Sequence, residues 1–161
     1  MSDLLGLLRR VRGAGVEFVI VGGYAGVVHG ASYVTQDIDI CCVFAADSLL
    51  ALQNALADLH PVHRMTPGRR PLELSAETAA QFAKLYLDTD FGRLDCLSTI
   101  DGLGDFAQVK QASEPIEVEG MRLHVLTLDA LIRSKQALNR PRDREGLRQL
   151  RVLRGLRRDK P

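Results

Sequence analysis

The stretch Val19-Ile20-Val21-Gly22-Gly23-Tyr24-Ala25-Gly26-Val27-Val28-His29-Gly30, followed by Thr35-Gln36-Asp37-Ile38-Asp39-Ile40, restricts the possible folds more than any other part of the chain. The pattern predicts a buried strand, a glycine turn, a short helix and a second strand that opens with two carboxylates. Residues two apart on a strand project from one face. Asp37 and Asp39 are therefore expected side by side, with Ile38 and Ile40 turned into a core. Adjacent like charges repel unless something positive lies between them, and a divalent cation is the usual solution. The glycine turn offers backbone N–H groups at a helix start, where a phosphate can sit. A metal site beside a phosphate cradle suits phosphoryl chemistry.

The remaining composition bounds that reading. With 161 residues, 46% of them hydrophobic and 25% charged, the chain has the size and make-up of one globular domain. No apolar run approaches the ~20 residues of a membrane helix, so no membrane partner is expected. Met1-Ser2-Asp3-Leu4-Leu5 lacks the basic segment and cleavage site of a signal peptide. Three cysteines, Cys41, Cys42 and Cys96, have neither a disulfide framework nor Cys-x-x-Cys spacing, and read as small core hydrophobes. A cytoplasmic location is the expectation. The net charge of +1 conceals an asymmetry: residues 139–161 hold nine Arg/Lys against three Asp/Glu, leaving the body mildly acidic. That basic tail is a solvated helix face or a surface for something anionic.

Along the chain, Ser2 is expected to cap a helix ending near Arg12, followed by a strand over Glu17–Val21 and a short helix over Tyr24–His29. Asp37–Phe44 reads as the second strand, and Asp47 as the cap of a helix over Ser48–Leu59. His60–Pro71 reads as a short strand (Val62–Met65) and an exposed basic loop. A helical turn is expected over Ala76–Phe82. Leu85–Leu87 and Leu94–Leu97 flank Asp90-Phe91-Gly92, and Ile116–Val118 and Met121–Val125 flank Glu119-Gly120. Both read as hairpins. Thr127 is placed to cap a helix over Leu128–Leu138, Arg140-Pro141 breaks it, and a last helix runs from about Asp143 to Leu156. The expected class is α/β of the α+β kind. Residues 1–126 would form the core, and 127–161 a helical segment packed on it.

The glycine pair with Asp37-x-Asp39 resembles the signature of the nucleotidyltransferase fold, the polymerase-beta-like superfamily. The strand Phe18–Val21, Gly22-Gly23, Ala25, His29-Gly30, Thr35 and Asp37-Ile38-Asp39-Ile40 look most like the small bacterial AbiEii and minimal-nucleotidyltransferase type. Leu131-Ile132-x-x-Lys135 and Arg140-Pro141-Arg142-Asp143 resemble the helical piece that follows the core in those proteins. The resemblance spans roughly residues 16 to 153, in outline only through the middle. The chain departs from it at Gly23-Tyr24, where a hydroxyl residue is common, at Tyr33, where Arg is common, and at Gly146, where an acid often stands. The fold it implies is a mixed sheet flanked by helices with a C-terminal helical segment.

The resemblance also implies a third carboxylate on a neighbouring strand. Asp95 is the candidate, because it sits in an apolar run where an unpaired acid is costly, whereas Asp88 and Asp90 lie near a turn. Asp37, Asp39 and Asp95 would then be the catalytic and metal-ligating residues, holding two Mg²⁺ ions, with Mn²⁺ able to substitute. Gly22, Gly23, Thr35 and Lys135 would bind the nucleotide, although Lys135 also reads as a solvated lysine. Asp143 reads as an acid favouring a helix start, and His29 as a packed, hydrogen-bonded histidine. A haloacid-dehalogenase reading of Asp-x-Asp fails, since Val34-Thr35-Gln36 is no apolar strand and Cys41 stands where Thr is expected. Gly-x-x-x-x-Gly-Lys and Gly-x-Gly-x-x-Gly loops are absent from the sequence.

The activity implied is transfer of a nucleoside monophosphate from an NTP to an acceptor hydroxyl, on a tRNA 3′ end or a partner-protein side chain. Such proteins stand in toxin–antitoxin or phage-defence pairs, so a cognate toxin or antitoxin is the expected partner. A non-catalytic antitoxin-like binding module and an antibiotic-modifying enzyme are the alternatives. Nothing in the sequence sets the oligomeric state.

Overall fold

A computed structural model describes residues 2–159 of the chain, so Met1, Lys160 and Pro161, the outermost residues of the two expected segments, lie outside the described residues. The first helix, α1, covers Leu4–Gly13. Its cap is Asp3 rather than the expected Ser2: the Asp3 carboxylate accepts from the Gly6 N–H at 2.8 Å. Strand β1 (Phe18–Val21) is buried throughout and runs straight into helix α2 (Gly22–Val28). The glycine pair is thus the first turn of the helix, where a loop before Tyr24 was expected.

Strand β2 (Asp37–Cys42) is followed by helix α3 (Ala46–Leu56) and a 3-10 turn over Ala57–Leu59. Ala45 precedes α3 with no side-chain cap, and Asp47 lies inside the first turn, correcting its reading as the cap. There its charge still meets the positive end of the helix dipole. Strand β3 is only Val62–His63, and α4 (Ala76–Ala79) is a single turn capped by Ser75. Strands β4 (Lys84–Thr89) and β5 (Gly92–Leu97) form the first expected hairpin.

Residues 98–112, where the sequence had no assigned element, contain a small ladder of β6 (Thr99–Ile100) with β7 (Gly104–Asp105), then helix α5 (Phe106–Gln111). The signal for α5 was local: Asp105 accepts from the Gln108 N–H, and the Gln108 side chain accepts from the Asp105 N–H. Strands β8 (Ser113–Val118) and β9 (Met121–Leu126) form the second hairpin. Pro115 is tolerated because β8 is an edge strand. Helix α6 (Leu128–Leu138) is capped by Thr127 as expected. A 3-10 turn at Pro141–Asp143 leads into α7 (Arg144–Arg158).

Seven strands form one mixed sheet in the order β3-β4-β5-β2-β1-β9-β8. β2 pairs antiparallel with β1 and parallel with β5, while β1 pairs parallel with β9. Ile20, Ile38, Ile40, Leu85, Leu87, Leu94 and Cys96 alternate with the polar positions of the central strands and are almost fully buried. Leu7, Leu8, Val11, Leu49, Leu52 and Leu56 bring the apolar stripes of α1 and α3 to the same core, as do Leu147 and Leu150 of α7. Among the described residues no helix is long and apolar enough to cross a membrane.

Leu52→Ala empties a fully buried site on α3 away from the acidic residues. It is expected to cost about 2–4 kcal/mol in urea unfolding.

Candidate active site

The acidic site is built by strand register. Antiparallel return of β2 along β1 sets Asp39 opposite Val21, and therefore beside Gly22. Parallel pairing of β2 with β5 sets Asp39 opposite Asp95 and Asp37 opposite Arg93. Paired residues share a face, so all three candidate acids stand on the side of the sheet away from Ile38 and Ile40. The next strand extends the rows, with Tyr86 opposite Asp95 and Asp88 opposite Arg93.

Gly22 is required by this geometry. A Cβ at that position would lie 2.1 Å from Asp39 Oδ2, and the residue has φ of +66°. Gly23 is equally tied to the site, since a Cβ there would lie 3.3 Å from the Thr35 hydroxyl. That hydroxyl donates to the Asp37 carbonyl at 3.1 Å, and so fixes the start of β2. Gly22, Gly23, Thr35, Asp37 and Asp39 are accordingly neighbours, as their proposed roles require.

The acids differ in what balances their charge. Asp95 is clamped by Arg64, Nη1 donating to Oδ1 at 2.6 Å and Nη2 to Oδ2 at 2.9 Å. Asp88 meets Arg69 at 2.6 Å and Arg93 at 3.3 Å. Among the described residues Asp37 has only Arg93, at 3.9 Å. Asp39 forms no ion pair among the described residues. Burial pushes the Asp39 carboxyl up to about 7, with the charges of Asp95 and Asp37 adding to the effect and those of Lys135 and Arg64 opposing it. A half-buried acid between two others, short of positive charge, is a place for a cation. Asp37 and Asp39 fit a divalent ion.

The third expected ligand, Asp95, already has a positive partner in this structure. Among the described residues no group of three or more acids, histidines or cysteines is arranged to hold a metal. Arg64 places its guanidinium on both oxygens of that third acid. The sequence signal for it was the one used for Asp95 itself: an acid in an apolar strand needs a positive partner, and a guanidinium satisfies that as well as a metal does.

Lys135 is buried, 3.4 Å from Asp143 Oδ1, with its ammonium 5.9 Å from the Tyr33 ring centre. Its reading as a solvated lysine is thereby corrected, while its charge still reaches Asp39. Asp143 stands at the start of α7 as expected, and is also buried and accepts from Arg140 Nε at 2.6 Å. It ties α6 to α7. Tyr33 packs against Gly26 and Gly146, where any Cβ would meet its ring, and its hydroxyl is buried without a partner among the described residues. His29 Nε2 lies 2.6 Å from the Leu126 carbonyl and Nδ1 2.9 Å from Arg157, so it is a packed histidine. The three cysteines are free and buried. Burial pushes the Cys41 and Cys42 thiols up to about 12 and about 11, which leaves them inert.

No protein-family model matches the sequence, and a comparison with curated proteins finds no match. Solved structures do resemble the fold. A candidate nucleotidyltransferase of Thermotoga maritima superposes with a TM-score of 0.59 at 17% identity, covering 92% of this chain and 93% of that one. ANT(2")-Ia in complex with adenylyl-2"-tobramycin gives 0.56 at 17% identity, covering 96% and 94%. A solution structure of the same antibiotic-resistance factor gives 0.55 at 17%, covering 98% and 93%. The chain has the nucleotidyltransferase fold.

Two outcomes test the site. The native state holds a proton on Asp39 that the unfolded chain gives up between its ordinary value of 3.8 and about 7. Stability of the metal-free protein therefore falls as pH rises through that window. Asp39→Asn is expected to melt above wild type in EDTA at pH 8, by on the order of 2 kcal/mol, with no difference near pH 4. A pH-independent difference would contradict this assignment. Gly22→Ala is expected to displace the Asp39 carboxylate and to lose about 1–3 kcal/mol of stability, read by urea unfolding.

Proposed function

We infer that this protein is a metal-dependent nucleotidyltransferase that moves a nucleoside monophosphate from an NTP onto an acceptor hydroxyl. The single observation that carries the reading is the half-buried Asp39, without an ion pair among the described residues, between Asp37 and the Gly22–Gly23 helix start, within a nucleotidyltransferase fold. A divalent ion on Asp37 and Asp39, Mg²⁺ or Mn²⁺, would supply positive charge against that developing on the attacking and leaving oxygens. The helix start at Gly22 and Gly23 and the Thr35 hydroxyl would hold the terminal phosphates. Lys135, one helix away, would add a fixed positive charge to that end. The acceptor oxygen forms a bond to the α-phosphorus, the bond to pyrophosphate breaks, and Asp95 takes the hydroxyl proton.

For the acceptor, charge supports a polyanion or a protein over a cationic drug. Arg64, Arg69 and Arg93 cancel most of the acidic row that would attract an aminoglycoside. Helix α7 meanwhile sets Arg144, Arg148 and Arg151 around a shallow surface depression. A tRNA 3′ end or a partner-protein side chain, within a toxin–antitoxin or phage-defence pair, is the acceptor proposed. The second reading is modification of an antibiotic hydroxyl, favoured by the likeness to ANT(2")-Ia with its adenylylated tobramycin.

The test is label transfer from each α-labelled NTP with Mg²⁺, offered total tRNA, the product of the adjacent gene, or an aminoglycoside. Label is expected on RNA or protein and is expected to fall at least about 10³-fold in Asp37→Ala. Label on the drug alone would select the second reading. No transfer under any pairing would leave a non-catalytic binding module.

A further inference from the structure

Arg64 is the one residue of the basic loop after β3 whose side chain reaches the acidic site to grip a proposed catalytic carboxylate. Its two terminal nitrogens meet the two oxygens of Asp95 in a fork-on-fork pair, and the side chains are only 17% and 11% exposed. Such pairs are strong and directional, and a guanidinium keeps its charge at every accessible pH.

The pair is also held from outside. The Arg64 backbone N–H donates to the Tyr86 carbonyl at 2.8 Å. Nη1 makes a further contact of 3.4 Å to the Leu87 carbonyl. The guanidinium carbon lies 5.6 Å from the centre of the Tyr86 ring, which shares a face with Asp95. Withdrawing Arg64 would leave a charge uncompensated in a largely buried place, which is strongly unfavourable.

Across the face, the acids therefore divide in two. Asp95 and Asp88 are matched by guanidinium groups at hydrogen-bonding distance or close to it. Asp37 and Asp39 are not. Asp37, Asp39 and Asp95 carry −3, offset by Arg64 and in part by Arg93, which Asp37 shares with Asp88, so the remaining charge is within what one divalent ion neutralises. A second ion would have to displace the guanidinium or share its carboxylate against like charge.

We propose that Arg64 stands in for a second cation at Asp95, so that the site binds one divalent ion, held by Asp37 and Asp39. This rests on the metal-dependent reading given above and narrows it. Arg64 is then a positioning residue, keeping the Asp95 carboxylate charged and oriented while the ion occupies the neighbouring pair.

Counting Mn²⁺ ions bound to the protein alone, by loss of the free-ion signal in electron paramagnetic resonance, tests the proposal. Wild type is expected to bind one ion, and Asp39→Asn to weaken it at least tenfold. Arg64→Gln frees Asp95 and is expected to gain a second ion. The double variant Arg64→Gln with Asp95→Asn removes both members of the pair and is expected to return to one ion, within about threefold of wild-type affinity. Two ions of similar affinity in wild type would overturn the proposal, as would no gain in Arg64→Gln or loss of the ion in the double variant. Should Arg64→Gln fail to fold, judged by circular dichroism, the wild-type count and the double variant decide. Absence of any ion from wild type would instead remove the metal-dependent reading itself. A two-ion wild type leaves that reading intact.

Discussion

The seating of β2 between β1 and β5 is the constraint on which everything else depends. The antiparallel register on one side brings Asp39 to the end of β1, against the helix start at Gly22. The parallel register on the other side brings Asp39 level with Asp95. A shift of one residue in either pairing would turn Asp37 and Asp39 into the core and Ile38 and Ile40 out of it. The apolar face thus enforces the acidic one. Burial of Ile38, Ile40 and Leu94 is what holds three like charges together against their repulsion.

That repulsion is relieved unevenly. Guanidinium groups from β5 and from the loop after β3 meet Asp88 and Asp95, while Asp37 and Asp39 keep most of their negative field. A second charged cluster, Lys135 with Asp143 and Arg140, braces α6 against α7 behind Tyr33. Tyr33 fits there only because residue 26 is a glycine, where a Cβ would collide with its hydroxyl. The same side chain therefore lines the helical segment and abuts α2, the helix that starts at Gly22 and Gly23. Structural ion pairs and the site proposed for catalysis share one continuous polar layer over the sheet.

Much of this was legible in the chain. A continuous apolar run located β1, alternation of apolar and polar residues located β2, β4, β5 and β9, and helical spacing located α1, α3, α6 and α7. Legibility failed where packing was weak or local. Helix α5 spans six residues and shows too short a stripe, so it went unassigned although its reciprocal cap was present in the sequence. The caps of α1 and α3 were misassigned by a residue or two, since Ser2 and Asp3, or Ala45 and Asp47, compete over the same turn. The ion pair between Lys135 and Asp143 was not legible, because their burial arises from the docking of α6 and α7 on one another.

By itself, the sequence determined that two acids would share a strand face beside a glycine-started helix, and that Asp95 could not stand in its strand without a positive partner. Those are consequences of the two-residue period of a strand and the cost of burying a lone charge. Only the tertiary structure decided what that partner is. Arg64 lies 31 residues away and reaches Asp95 because β3 joins the sheet edge across β4, a pairing no local pattern encodes. A metal and a guanidinium answer the same electrostatic demand, and the sheet's order selected the guanidinium.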